Sequence, residues 1–95
     1  MDIIPYLMTS KGLIFLKTLI EAKNLNILYV VSDIDTSLSI DNFNEIKTLC
    51  DSFSIPFFCR KDAPKINRDT VIIAVSWKWI IHADLSKIIV IHDSI

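Results

Sequence analysis

Residues 26–32 read NILYVVS and residues 70–75 read TVIIAV, and these two short stretches decide the fold class of this 95-residue chain. Both are almost entirely apolar and rich in β-branched side chains, which is typical of strands that are covered on both faces of a sheet. Apolar runs of six or seven residues are short for helices but usual for strands. We therefore predict a buried strand at each of the two segments.

Three further extended segments share this apolar character, although one begins with a proline and another carries one near its start. They are residues 2–8, residues 56–59 (PFFC) and residues 87–92 (KIIVIH). Residues 60–69 are charged and show no period, so we predict a surface connection there. Residues 76–85 are predicted to form a short aromatic helical turn.

Two amphipathic helices are predicted between the strands, because apolar residues recur there at intervals of three and four. The first begins after its N-cap Ser10 and ends near Asn24, and the second covers residues 41–52, with Asn42 and Glu45 at the spacing of a capping box. Strands that alternate with helices form right-handed βαβ units. The predicted fold class is α/β: a Rossmann-like, open and mostly parallel sheet with flanking helices, in one domain that covers residues 1–95.

Composition and charge argue against several classes of function. Lysine and arginine number 10 against 11 acidic residues, and they are scattered, so we expect neither a nucleic-acid groove nor a membrane surface. Hydrophobic residues make up 52% of the chain and the mean hydropathy is +0.46, which is high for so small a domain. Some apolar surface should therefore lack a partner within the chain.

The cysteines and the first residues of the chain bear on its location. Cys50 and Cys59 lack the spacing of a metal or redox motif and lie in apolar contexts, which favours free thiols in a reducing compartment. The first residues, MDIIPYLM, have no basic flank and contain a proline, so we predict no signal peptide. The expected location is the cytoplasm.

Ligands of open parallel sheets bind outside the carboxyl ends of the strands, near the switch in strand order. Four segments of this chain follow predicted strands and are candidates for that position: residues 9–12, 32–35, 76–79 and 92–94.

The first two candidate segments carry polar side chains. With one glycine in the chain, a dinucleotide fingerprint and a P-loop are both excluded. Thr9, Ser10 and the first amides of the helix could hold a phosphate or carboxylate, or Ser10 could simply cap the helix. Asp33 and Asp35 are discounted as an acid–base or metal pair, because Thr36 and its neighbours have the composition of a solvated turn. The spacing of histidines, cysteines and acids predicts no metal site.

The last two candidate segments contain the residues with the most chemical potential. Trp77 and Trp79 flank Lys78 and could either pack the sheet or form the wall of a pocket for a flat ligand. His92 ends a predicted strand and titrates in the range that general acid–base catalysis needs, although a histidine can also simply end a buried strand. Asp93 is adjacent to it, and adjacent residues of a strand point to opposite faces.

The last quarter of the chain resembles the N-terminal half of the folate-dependent formyltransferases, which act on methionyl-tRNA, glycinamide ribonucleotide and nucleotide sugars. The resemblance lies in SWKWII, residues 76–81, and in IIVIHDSI, residues 88–95, which is similar to the opening of the family's histidine segment. It implies transfer of a formyl group from 10-formyltetrahydrofolate to an amine-bearing small molecule or nucleotide-sugar acceptor.

The resemblance also implies roles for individual residues. His92 stands in the place of the catalytic histidine, and Val90 stands where the family has an asparagine, so the group that holds the oxyanion is missing. The pterin pocket would be lined by Trp77, Lys78, Trp79, Ile80 and Ile81. The acceptor would face Thr9, Ser10, Lys11 and Gly12.

The family's aspartate and arginine–glycine segment follow the histidine segment and would lie beyond Ile95. We therefore expect a partial formyltransferase domain without measurable activity as these 95 residues alone. The alternative is a non-catalytic interaction or assembly module, which would form a homodimer or bind a complementing chain through the edge strand at residues 87–92. A gene remnant without function is a third possibility.

Overall fold

The computed structural model describes residues 1–36, 41–66, 70–79, 81 and 87–91. Among them are six strands, two α-helices and one 3-10 turn at Arg60–Asp62. The helices are α1, Thr9–Glu21, and α2, Phe43–Ser52. The strands are β1, Asp2–Leu7; β2, Asn26–Ile27; β3, Val30–Ser32; β4, Phe57–Cys59; β5, Val71–Val75; and β6, Lys87–Ile91.

The strands form one sheet in the order β4-β3-β1-β5-β6, and β2 pairs with β1 beside β3. Each strand pair in the described part of the chain is parallel. From β1 the chain adds strands in one direction as far as β4, then returns and adds β5 and β6 on the other side of β1. The predicted α/β class with a Rossmann-like parallel sheet is confirmed, and the switch in strand order lies between β1 and β5.

The sheet separates two apolar clusters, because successive side chains of a strand point to opposite faces. Leu7 and Val75 are paired and point to the face that the helices cover, where they pack with Leu16 of α1 and with Ile46 and Cys50 of α2. On the opposite face, the core is formed by Ile4, Tyr6, Val31, Ile66, Ile72 and Ala74. Both faces of the central strands β1 and β5 are therefore covered, as their apolar sequences predict.

The strand predicted at residues 26–32 is interrupted at Leu28 and Tyr29, so that prediction of one continuous strand was wrong. The Leu28 amide donates to the Ile3 carbonyl in β1 (3.0 Å), whereas the Val30 amide donates to the Pro56 carbonyl next to β4 (2.9 Å). Amides two residues apart in a regular strand point to the same side. The chain therefore needs an irregular residue, Tyr29, to move from one partner strand to the other.

Helix α1 begins earlier than predicted, and Ser10 is not its N-cap. Met8 occupies the N-cap position without a side-chain cap, and its carbonyl accepts the first helical hydrogen bond, from Gly12 (3.1 Å). Gly12 explains the early start, because a Cβ atom there would lie 3.1 Å from Cβ of Leu7, so α1 packs directly against the end of β1. The helix ends at Glu21 rather than near Asn24.

The start of α2 is stabilised by Asp41 rather than by the predicted capping box. Asn42 is the N-cap residue, in a left-handed conformation with φ of 62°, and its side chain makes no cap to the backbone. It donates instead to the Glu45 carboxylate (2.8 Å). Oδ1 of Asp41 accepts a hydrogen bond from the Phe43 amide (3.0 Å), which satisfies one of the free donors of the first turn.

Two connecting segments also differ from the predictions. Ile66 is 3% exposed and belongs to the core, so residues 60–69 are not simply a surface connection. The described residues 76–79 form an irregular segment, with bends at Ser76 and Trp79, rather than the predicted helical turn. The predicted last strand ends in the structure at Ile91, and His92 lies outside the described residues.

Candidate functional site

The carboxyl ends of β1 and β5 meet at the switch in strand order, where open α/β sheets bind ligands. The Met8 amide donates to the Val75 carbonyl (3.1 Å). The residues that come next in the two segments are also joined, because Oγ1 of Thr9 donates to Oγ of Ser76 (3.2 Å). Thr9 and Ser76 both have positive φ, 67° and 55°. Two non-glycine residues in a costly conformation therefore lie side by side at this edge of the sheet.

Asp41 connects the start of α1 to α2 and to the loop after β3. Its backbone carbonyl accepts a hydrogen bond from the Thr9 amide (3.0 Å), while Oδ2 accepts one from the Asp35 amide (3.1 Å). Together with its bond to Phe43, Asp41 joins the starts of both helices and one loop. This residue fixes the position of Thr9 relative to the loop that carries Asp35.

The four residues predicted to face the acceptor lie together in the first turn of α1, but they are not equally accessible. Thr9 is half-buried beside Ser76, and Ser10 and Lys11 are exposed. Gly12 is buried against Leu7 and lies on the side of the helix that faces the sheet. Thr9, Ser10 and Lys11 are therefore the members of this group with surface at the carboxyl edge.

The two tryptophans pack against each other and against the core. The rings of Trp77 and Trp79 have centroids 5.0 Å apart, and Trp77 meets the Tyr6 ring edge to face at 5.1 Å. The indole Nε1 of Trp77 is buried and has no acceptor among the residues that the structure describes. Buried donors without acceptors are rare and costly.

Two ion pairs surround the tryptophans. Nζ of Lys78 lies 2.7 Å from Oδ2 of Asp35, and Nε of Arg60 lies 2.9 Å from Oδ2 of Asp33. Both cations also approach the Trp79 ring, Arg60 at 4.6 Å and Lys78 at 5.1 Å from its centroid. We call these six residues the aromatic–ionic cluster: Asp33, Asp35, Arg60, Trp77, Lys78 and Trp79.

The cluster offers aromatic surface together with two cations, Arg60 and Lys78, whose side chains remain partly exposed to solvent although each is paired with an aspartate. The Asp35 side chain is 8% exposed, whereas that of Lys78 is 51% exposed, so the lysine can reach a second anion from solvent. Beneath the cluster, burial raises the pKa of Tyr6 to about 12, and the charge of Tyr29 adds to this shift. The phenol of Tyr6 is therefore a neutral packing group near pH 7 and not an acid or base.

The remaining predicted site residues lie at the edge of the described structure. Ile81 is half-buried and packs against the core cluster of Tyr6. Ile80 and His92 lie outside the described residues. Val90 pairs with Ala74 and, like it, points to the face opposite the helices.

Sequence reasoning missed three residues of the aromatic–ionic cluster. Asp33 and Asp35 had the composition of a solvated turn, yet Asp35 is buried and paired. Arg60 belonged to the predicted surface connection. The sequence did contain a signal for them, because each of these residues follows the end of a strand. The carboxyl ends of parallel strands lie at the same edge of a sheet, so residues that follow them can meet there.

Other features of the described residues lie away from this edge. A groove of about 430 Å³ between α1 and α2 is lined by Leu13, Lys17, Leu49 and neighbouring polar residues. Within the described part of the chain, no group of three or more acids, histidines or cysteines could hold a metal ion. The same part contains no helix with the length and hydropathy needed to cross a membrane.

Comparisons of the chain with protein-family models, with curated proteins and with solved structures find no match.

Proposed function

We propose that this chain is a folate-binding unit of the formyltransferase type, with its pterin site at the aromatic–ionic cluster and its acceptor site at the start of α1. The observation that carries the proposal is the adjacency of β5 and β6. Val75 pairs with Ile91, and the Ser76 amide donates to the Ile91 carbonyl (3.4 Å). Ser76 and Ile91, which belong to the two segments that carry the resemblance, therefore lie side by side at the carboxyl edge of the sheet.

The chemistry of the cluster supports a folate as ligand. A reduced folate combines a flat pterin ring, which has polar groups on its edge, with a glutamate that carries two carboxylates. The Trp77 and Trp79 rings, both half-buried, offer apolar surface for a flat ring. The exposed charge of Lys78 and the guanidinium of Arg60 suit carboxylates.

The proposal assigns binding rather than turnover to these 95 residues. Val90 has no hydrogen-bonding side chain, so it cannot stabilise an oxyanion as the family's asparagine does. His92 would shuttle the proton of the acceptor amine by resemblance, but its partner aspartate has no counterpart among these residues. We expect no measurable formyl transfer from 10-formyltetrahydrofolate by the isolated chain. The free thiols Cys50 and Cys59 support a reducing, cytoplasmic setting.

Fluorescence titration tests the proposal directly, because the only two tryptophans of the chain both lie in the cluster. The probe is 5-formyltetrahydrofolate, a stable isomer of the formyl donor. We expect saturable quenching, and a weaker affinity for Arg60→Gln. The matched control is Lys61→Gln, an exposed cation next to it in the same 3-10 turn, which should bind as the parent does. Quenching that does not saturate, or equal weakening by both variants, contradicts the proposal.

The alternative function is non-catalytic assembly, and the exposure of β6 favours it: all five of its residues are exposed. The two functions separate in thermal unfolding. A melting temperature that rises with folate at fixed protein concentration supports folate binding. A melting temperature that rises with protein concentration and does not respond to folate supports assembly.

A further inference from the structure

The edge strand β6 is the least covered element of the sheet. Parallel strands are normally buried on both faces, but Ile89 and Val90 are 51% and 48% exposed. Their side chains point to opposite faces, since Ile89 pairs with Ile73 on the helix side and Val90 with Ala74 on the other. The other edge strand, β4, is half-buried throughout. Four consecutive exposed apolar residues, 88–91, therefore lie on β6, while the other exposed apolar residues of the described chain are scattered.

The register of β6 determines which of its backbone groups remain available. The Lys87 amide donates to Thr70, and the Ile91 carbonyl accepts from Ser76, so residues 87 and 91 direct their backbone groups toward β5. Backbone groups alternate in direction along a strand. Ile88 and Val90 therefore direct their amides and carbonyls away from β5. A row of backbone donors and acceptors of this kind is best paired by the backbone of another strand.

We infer that β6 pairs in antiparallel fashion with the β6 of a second copy of this chain, across a two-fold axis at Ile89. In that register Ile88 lies opposite Val90 of the second copy, and each pair exchanges two hydrogen bonds. Ile89 lies opposite its own counterpart as a non-hydrogen-bonded pair, with Cα atoms about 4.5 Å apart. All four outward groups of each copy are then satisfied by the same residues of the other.

The alternation of backbone groups excludes a symmetric parallel pair. In a parallel ladder, a residue bonds to the two neighbours of the residue that it faces. To bond to residues 88 and 90 of the second copy, Ile88 would have to face residue 89. A two-fold axis places equal residue numbers opposite each other in a parallel pair, so it does not allow this shift of one position. A parallel pair would also bring the Lys87 side chains close together, whereas the antiparallel register separates them to opposite ends. The antiparallel pair closes on itself and leaves no β6 edge for a third copy; the half-buried β4 edges lie at the two ends of the joined sheet.

The size of the contact sets the expected affinity. Five residues of each copy take part, so the buried area is far below the roughly 1,200 Å² in total of stable interfaces. We expect a weak dimer, measured by sedimentation velocity as an average mass that rises with concentration from 10.9 kDa toward twice that value. A mass that stays at one chain at millimolar concentration, or that climbs beyond two chains, overturns the inference.

Two variants locate the contact. Ile89→Lys places like charges next to each other on the axis and should abolish the rise in mass. Ile14→Lys, at a position that is 61% exposed on α1, is the matched control and should dimerise as the parent does. Circular dichroism at low concentration verifies that both variants are folded. If Ile89→Lys dimerises normally, or if both variants lose the dimer equally, β6 is not the interface.

A cross-linking test does not depend on the folding of the charged variant. Ile89→Cys, in a Cys59→Ser background, should oxidise rapidly to a covalent dimer, because the two residues at position 89 face each other across the axis. Lys87→Cys in the same background should not, since it would face Ile91 of the second copy. Equal rates of cross-linking for the two variants contradict the proposed register.

Discussion

Thr9 and Ser76 are joined through their hydroxyl groups at 3.2 Å, and both residues adopt left-handed backbone conformations. Such conformations cost roughly 1–2 kcal/mol per residue for L-amino acids. They persist because neighbouring backbone bonds fix both positions: the Met8 amide is bound by Val75, and the Thr9 amide by Asp41. The strain thus lies at the switch in strand order, where open α/β sheets place their ligands.

The hydroxyl pair should stabilise the fold by coupling β1 to β5. We expect a double-mutant cycle of Thr9→Val and Ser76→Ala to give a coupling free energy of about 1 kcal/mol, because the bond is partly buried. Urea unfolding of the four proteins measures it. Thr18→Val removes a hydroxyl that bonds only within its own helix, to Ile14, so it should show no coupling to Ser76→Ala. A cycle for Thr9 that closes to zero would mean that the contact contributes nothing.

The two ion pairs of the aromatic–ionic cluster should differ in their contribution to stability. Lys78→Gln removes a cation from the buried Asp35 carboxylate and should lower the free energy of unfolding by about 1–2 kcal/mol. Arg60→Gln affects a more exposed pair, with side chains 40% and 21% exposed, and should cost less than about 1 kcal/mol. Urea unfolding at pH 7 compares them. An Arg60 variant that is the less stable of the two would contradict this order.

Asp41, rather than Ser10, should be the important capping residue. Asp41→Ala removes acceptors from the Phe43 and Asp35 amides and should cost about 1–2 kcal/mol. Ser10→Ala should change stability by less than about 0.5 kcal/mol, because Ser10 is exposed within α1 and the helix has no side-chain cap. Thermal unfolding of both variants distinguishes them. If the Ser10 variant is as unstable as the Asp41 variant, Ser10 caps the first helix after all, as the sequence predicts.

The protein should lose stability in alkaline solution. Burial raises the pKa of Tyr6 from 10.0 to about 12, and burial together with Asp51 raises the pKa of Cys50 from 9.0 to about 12. Between these ordinary values and pH 12, the unfolded chain releases protons that the folded chain retains, so the free energy of unfolding falls as pH rises. Well below pH 9 both groups are neutral in both states and have no such effect.

Tyr6→Phe provides the check on this pH dependence. It keeps the ring contact with Trp77 but removes the phenol, so its stability should fall less steeply than that of the parent between pH 10 and 12. Urea unfolding across this range measures the difference, with the two proteins compared at pH 7 as a reference. Parallel curves for the two proteins would show that Tyr6 does not cause the loss.

The fold class could be predicted because its signals are local. The apolar runs that became β1 and β5 and the helical spacing of α2 record which side chains are buried, and burial on both faces is the mark of a parallel strand. Element ends were predicted less well, because they depend on contacts with distant residues. Ser10 lost the capping position since Gly12 packs against Leu7, and residues 26–32 are broken since Val30 pairs with a segment that lies 26 residues further along the chain.

The candidate site divides in the same way. The sequence by itself determined that Trp77 and Trp79 stand after a buried strand, with Lys78 between them, and its composition determined that apolar surface remains uncovered. Only the tertiary structure decided that Asp35 and Arg60 join them, and that a continuous part of the uncovered surface lies on β6. The physical reason is that side-chain periodicity reflects the burial of each segment separately. The order of strands in the sheet results from packing between segments that are far apart in the chain, and it is this order that brings their ends together.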